Sequence, residues 1–158
     1  MSGVVVWFTG LPSSGKTTLA RAVAARVPGA VLLDGDEVRA AMRPAPGYDE
    51  ASRAAFYETL ARWAALLAQQ GHVVLVAATA HRRAFRRLAR EVAPRFVEVF
   101  VDTPPEECRR RDAKGLYASG QAQVPGAGVV YEVPEAAEVV VHPGDDGAEA
   151  RIAALCGR

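Results

Sequence analysis

Hydrophobic positions along the chain fall into two alternating kinds of run. Val4-Val5-Val6-Trp7-Phe8 is unbroken, apolar and rich in β-branched residues, as a strand buried on both faces should be. After a short polar stretch, Leu19, Ala20, Val23, Ala24 and Val27 recur at helical spacing instead. The alternation then repeats. Strands are predicted over 30–33, 73–78, 96–101 and 138–141, and helices over 53–70 and 82–92, after Thr103, and in a short stretch at the C-terminus. Strands with weak polar alternation, separated by helices, indicate a parallel sheet covered on both sides. The pattern therefore predicts an α/β fold, a three-layer α/β/α sandwich with a mostly parallel sheet. Strand order does not follow from periodicity, although right-handed crossovers restrict it.

Between the first strand and first helix lies Gly10-Leu11-Pro12-Ser13-Ser14-Gly15-Lys16-Thr17, followed by Thr18, which completes the G-x-x-x-x-G-K-[ST] pattern in its required context. Glycines let such a loop curl so that backbone N–H groups point at phosphate oxygens, and the new helix adds the positive end of its dipole. Lys16 would neutralise β- and γ-phosphates, and the Thr17 hydroxyl would join the shell of a bridging Mg²⁺. The sequence thus predicts a P-loop nucleotide-phosphate site that takes Mg²⁺.

A second cluster ends the second strand: Asp34-Gly35-Asp36, with Arg39 one helical turn later. Ligands of open parallel sheets gather at the carboxyl ends of strands, which brings this cluster beside the phosphate loop. Asp34 and Asp36 can divide two tasks there, one ordering the metal's water and the other accepting a proton from an attacking hydroxyl. Asp34 is the expected metal-side residue, with Thr17. Asp36 also suits the structural role of a helix-starting residue or its solvated neighbour.

With 158 residues the chain is of single-domain length, so one P-loop domain over 1–158 is expected. Its 19 basic and 18 acidic residues leave a net charge of +1, which gives no electrostatic case for nucleic acid. No apolar run approaches the ~20 residues that cross a bilayer, and the two cysteines, Cys108 and Cys156, lack metal-ligand spacing. Small-molecule partners, reduced thiols and a cytoplasmic setting are expected, and a homodimer is compatible with all of this.

Several motifs together resemble those of the adenylylsulfate kinases, in the same order. They are Gly10 to Thr18, Leu33-Asp34-Gly35-Asp36 with Arg39, Phe100-Val101-Asp102-Thr103-Pro104 and Arg111-Asp112-Ala113-Lys114-Gly115-Leu116-Tyr117. Tyr131-Glu132 with Pro134 resembles the family's final segment. The resemblance implies transfer of the γ-phosphoryl group of ATP to the 3′-hydroxyl of adenosine 5′-phosphosulfate (APS), giving PAPS. It implies acceptor contacts from Asp36, Arg39, Tyr48, Arg53 and Phe56, and a lid around 105–128 in which Lys114, Gly115 and Leu116 meet substrate and Arg111 meets ATP. Arg109 and Arg110, and the stripe Arg82, Arg83, Arg86, Arg87 and Arg90, are read as solvated faces, with Arg83 alone matching a family arginine.

The chain departs from the family at three places. Phe56 stands where an asparagine is usual, Ala80-His81-Arg82 replaces serine-proline-tyrosine, and Gly126 falls near the position of a base-stacking phenylalanine. Either Tyr48 and Phe56 rebuild the aromatic sandwich from the other side, or the acceptor is another hydroxylated metabolite. His81 is expected at the surface. A nucleotide-binding regulator or slow hydrolase is the reading from another class, disfavoured by the paired acids and the lid-like segment.

Overall fold

The computed structural model describes residues 2–112, 115–118, 124–126 and 128–157. Five parallel strands form one sheet, in the order β2-β3-β1-β4-β5. They are β1 (Val4–Thr9), β2 (Val31–Asp34), β3 (Val73–Ala77), β4 (Phe96–Val101) and β5 (Val139–Val141). Around them pack α1 (Lys16–Ala24), α2 (Gly35–Ala41), α3 (Glu50–Gln69), α4 (Arg83–Val92), α5 (Pro105–Arg111) and α6 (Ala148–Cys156).

Every residue of β1 is buried, and its side chains divide by parity between two cores, as strand geometry requires. Val4, Val6 and Phe8 pack with Ala20 and Val23 of α1 and Ile152 of α6. Val5 and Trp7 pack with Phe56, Leu60 and Ala64 of α3 and Ala89 of α4. The three expected layers follow: α1 and α6, the sheet, then α3 and α4. On one side of β1 lie β3 and β2, on the other β4 and β5, so the chain reverses its progress across the sheet at β1. That reversal opens a crevice at the carboxyl end of β1, where open α/β sheets bind ligands.

Element boundaries differ from the predicted ones in physically simple ways. Helix α3 begins three residues earlier than expected because Asp49 caps it, its carboxylate accepting from the Ser52 backbone N–H at 2.9 Å. The seven-residue α2 lacks the length to show a period, and it is started by Asp34, whose Oδ1 accepts from the Asp36 and Glu37 backbone N–H groups. Among the described residues no helix is long and apolar enough to cross a membrane.

Candidate active site

The segment from Gly10 to Gly15 leaves the end of β1 and turns into α1. Ser13 and Gly15 take left-handed backbone conformations (φ +64° and +104°), and Gly15 directly precedes the helix. Gly10 has no room for a side chain, since a Cβ there would lie 2.6 Å from the Val101 carbonyl oxygen. Lys16 Nζ donates to the Gly10 and Leu11 carbonyls at 3.2 and 2.9 Å, curling over the loop. From the turn after β4 and from the end of α5, Thr103 Oγ1 and Arg111 Nη1 donate to the Ser14 carbonyl at 2.7 and 3.3 Å. Ser14 Oγ is buried with no hydrogen-bond partner among the described residues. An orphaned hydroxyl is costly in a closed core and is expected where a ligand supplies the partner.

Asp34 is buried, and the structure gives each of its oxygens a task. Oδ1 caps α2, while Oδ2 accepts from Thr17 Oγ1 at 2.6 Å. The tip of β2 is thereby joined to the first turn of α1. Asp36 sits exposed in the first turn of α2 and lines the same cleft as Lys16, Thr17 and Asp34.

Arg39, Tyr48, Arg53 and Phe56 complete that cleft, with Leu116 across from them. Arg53, Phe56 and Tyr57 share one face of α3, being three and four residues apart. Arg39 Cζ lies 4.1 Å from the Phe56 ring centre and 4.5 Å from that of Tyr48, and Arg53 Cζ lies 5.8 Å from Tyr48. Tyr57 was not anticipated; buried among Phe56, His81 and Phe85, its hydroxyl is pushed up in pKa by that burial.

On the far side of the loop lies a second hollow, lined by Gly15, Thr18, Thr103, Arg111 and His142. Lys16 and Thr17 face the first cleft, whereas Gly15 and Thr18 face the second. The contribution of His142 was not foreseen, although a parallel β5 must end on the same side as β1. Within the segment expected to form a lid, the Tyr117 hydroxyl donates to the Pro12 carbonyl at 2.9 Å, and its pKa is pushed up to about 12 by burial. Asp112 holds the turn by accepting from the Tyr117 and Ala118 backbone N–H groups at 3.0 and 2.9 Å. Gly115 follows at φ +68° in open space. Lys114 lies outside the described residues.

The sequence profile described as adenylylsulphate kinase matches residues 2–142. The chain belongs to the adenylylsulphate kinase family. An adenylyl-sulfate kinase of Paraburkholderia xenovorans (strain LB400) is 38% identical over 97% of this chain and 93% of its own length. The bifunctional enzyme NodQ of Rhizobium sp. (strain BR816) is 43% identical over 85% of this chain, which spans only 23% of NodQ. Among solved structures, the Mycobacterium tuberculosis APS kinase CysC in complex with AMPPNP and APS superposes with a TM-score of 0.87. It is 36% identical, with 98% of this chain and 95% of that chain covered.

Two expectations drawn from residue type and charge pattern in this member of the adenylylsulphate kinase family are corrected. His81 is buried, 1% exposed, and not a surface residue. Tyr57 and Phe85 pack against its ring, and Nε2 lies 3.3 Å from Glu50 Oε1. Burial outweighs the Glu50 contact and lowers its pKa. Arg86 is likewise buried and not solvated: it pairs with Glu98 of β4 at 3.0 Å and donates to the Ala80 and Glu132 carbonyls. A helical stripe of arginines looks uniform in sequence; Glu98 meets both Arg86 and Arg90, and what sets Arg86 apart is its burial with the Ala80 and Glu132 carbonyls as acceptors. Arg86 also lies 5.3 Å from the ring of Tyr131, which stacks on Phe100. Because Thr9 Oγ1 gives its proton to the Thr79 carbonyl, the Tyr131 hydroxyl donates to Thr9 at 2.8 Å. This network fixes the 131–133 segment over the end of β1. Arg109 and Arg110 are exposed, as read from sequence.

Proposed function

We propose that this chain transfers the γ-phosphoryl group of ATP to the 3′-hydroxyl of APS, releasing ADP and PAPS. The observation that carries the reading is one cleft in which Lys16, Thr17, Asp34 and Asp36 face Arg39 and Arg53. A phosphate loop, two carboxylates and two planar cations in one cleft match a reaction between a polyphosphate and a second anionic nucleotide. The second hollow, beyond Gly15 and Thr18, suits the base and ribose of ATP, with Arg111 above the loop.

Thr17 Oγ1 and Asp34 Oδ2, side by side at 2.6 Å, form the oxygen-donor set that Mg²⁺ favours when it keeps several waters and bridges phosphates. These two residues would hold it, and it would neutralise charge on the β- and γ-phosphates. With both Asp34 oxygens engaged in the cap and in Thr17, Asp36 is the better proton acceptor. The 3′-oxygen attacks the γ-phosphorus, its proton passes to Asp36, and the bond from that phosphorus to the bridging oxygen breaks, leaving ADP. Lys16 leaves the Gly10 and Leu11 carbonyls to follow the charge spreading over the moving group. Leu116, Tyr117 and their neighbours in 105–128 act as the lid that excludes water.

The test is incubation of the purified protein with ATP, Mg²⁺ and APS, following ADP and PAPS against a control without acceptor. PAPS formed with ADP in equal amount is expected. ADP without PAPS, or no turnover, overturns the choice of acceptor and directs a screen of other hydroxylated metabolites.

A further inference from the structure

We propose that Phe56 is a positioning residue, which fixes the guanidinium of Arg39 so that its N–H edges read an oxyanion of the acceptor. The inference rests on the function proposed above and assigns Phe56 a task different from the substrate contact expected from sequence. Phe56 is 3% exposed and set in the core with Val5, Trp7 and Leu60, and Tyr57 meets it edge-on at 5.4 Å. It is carried by the 20-residue helix α3, so its ring is a fixed surface. Arg39 Cζ stands 4.1 Å from the centre of that ring. Tyr48, at 4.5 Å, is 57% exposed on the segment between α2 and α3 and supplies a less rigid second contact. Arg39 Nη1 donates to the Gly47 carbonyl at 3.2 Å, which anchors one edge.

Aromatic faces attract a guanidinium through its face and leave its in-plane N–H groups available. Those in-plane groups form the fork that binds a phosphate or sulfate through two parallel hydrogen bonds. An asparagine at this position would offer a hydrogen bond to substrate. Phenylalanine gives up that contact and orders a cation instead. The rings expected to sandwich a base are thus engaged with an arginine, and selectivity in this part of the cleft is for an oxyanion.

Phe56→Leu keeps the site apolar and removes the ring face. We expect it to raise the KM for APS about three- to thirtyfold, the range that a partly to fully desolvated cation–π contact supports. The KM for ATP should stay within twofold, and Phe56→Tyr should restore the APS value. A second readout does not need turnover: the rate at which phenylglyoxal modifies Arg39, followed by peptide mass spectrometry, should rise in Phe56→Leu and not in Phe56→Tyr. If the leucine variant melts too low to assay, Phe56→Met serves in its place. An unchanged APS KM, or unchanged labelling of Arg39, overturns the role of Phe56. Failure of the wild-type protein to form PAPS would overturn the proposed function instead, and the labelling comparison would still decide this inference.

Discussion

Asp34 shows how much chemistry one side chain can carry: one oxygen starts a helix and the other holds Thr17. Asparagine can cap a helix as well as aspartate does, so Asp34→Asn separates the two tasks. We expect its melting temperature to stay close to that of the wild type, while kcat/KM falls about a hundredfold or more, the scale of losing one electrostatic contact at a transition state. A similar loss of melting temperature and activity would show that the residue serves the fold alone. Lys16→Ala should cost at least as much activity, through kcat and not through the APS KM. His81 gives a prediction in pH. In the folded chain its burial favours the neutral ring, whereas the unfolded chain takes up a proton near the ordinary value of 6.5. Below that pH the unfolded state binds more protons, so stability is full above about 6.5 and declines as pH falls. Glu50 titrates lower: burial pushes it up, but hydrogen bonds from Arg82 and His81 outweigh this and hold it below 4.5. Melting temperature measured at pH 7.5 and 5.5 should therefore drop in the wild type and drop less in His81→Asn. Equal drops would sink the assignment of the acid sensitivity to this ring.

At the scale of elements, β1 and its loop were legible because local sequence dictates them. An apolar run buried on both sides, a glycine turn and a helical period need no distant partner to be recognised. What sequence did not show was decided across long separations. Arg86 is set apart from its neighbours on α4 by burial against Glu98 of β4 and the Ala80 and Glu132 carbonyls. His81 is enclosed by Tyr57 of α3 and Phe85 of α4. Arg39 meets Phe56, 17 positions further along the chain, only because α2 and α3 fold over the same cleft. Thr17 and Asp34 were matched from motif order, and the parallel sheet makes them neighbours. A tight approach between elements was also invisible: Gly3, just before β1, donates to the Ala68 carbonyl at 2.6 Å, and a Cβ there would fall 1.8 Å from the His72 carbonyl oxygen. Backbone must move to admit even alanine. Gly3→Ala should destabilise the protein by about 1–3 kcal/mol, the usual range for overpacking. At ~2–4 °C per kcal/mol for a chain of this size, that is a fall of roughly 2–12 °C in a thermal scan. A shift under 1 °C would mean that the turn after α3 yields freely.

On the scale of the whole molecule, one loop separates two hollows and belongs to both. Lys16 and Thr17 face the cleft with the arginines, while Gly15 and Thr18 face the hollow with Arg111 and His142, which Ser14 also lines, its buried Oγ without a hydrogen-bond partner among the described residues. On the function proposed above, a donor nucleotide in the second hollow lays its phosphates along the loop and ends beside the cleft with the arginines. Ligands that bind only the folded chain raise its stability by RT ln(1 + [L]/Kd), about 2.7 kcal/mol at a hundredfold excess over Kd. For this chain that amounts to roughly 5–11 °C. We expect AMPPNP with Mg²⁺ to give a shift of this order, and Lys16→Ala to lose most of it. APS added with ADP should give a further rise, whereas AMP, which has the same base and ribose without the sulfate, should give a smaller one in the same cleft. The difference between APS and AMP measures what the arginines contribute, because only the sulfate end differs. It should shrink when Arg39 is replaced by alanine, since Arg53 then stands in the cleft without its fellow arginine. An AMP shift as large as that of APS would place the selectivity of the cleft on the base and remove the oxyanion from its recognition.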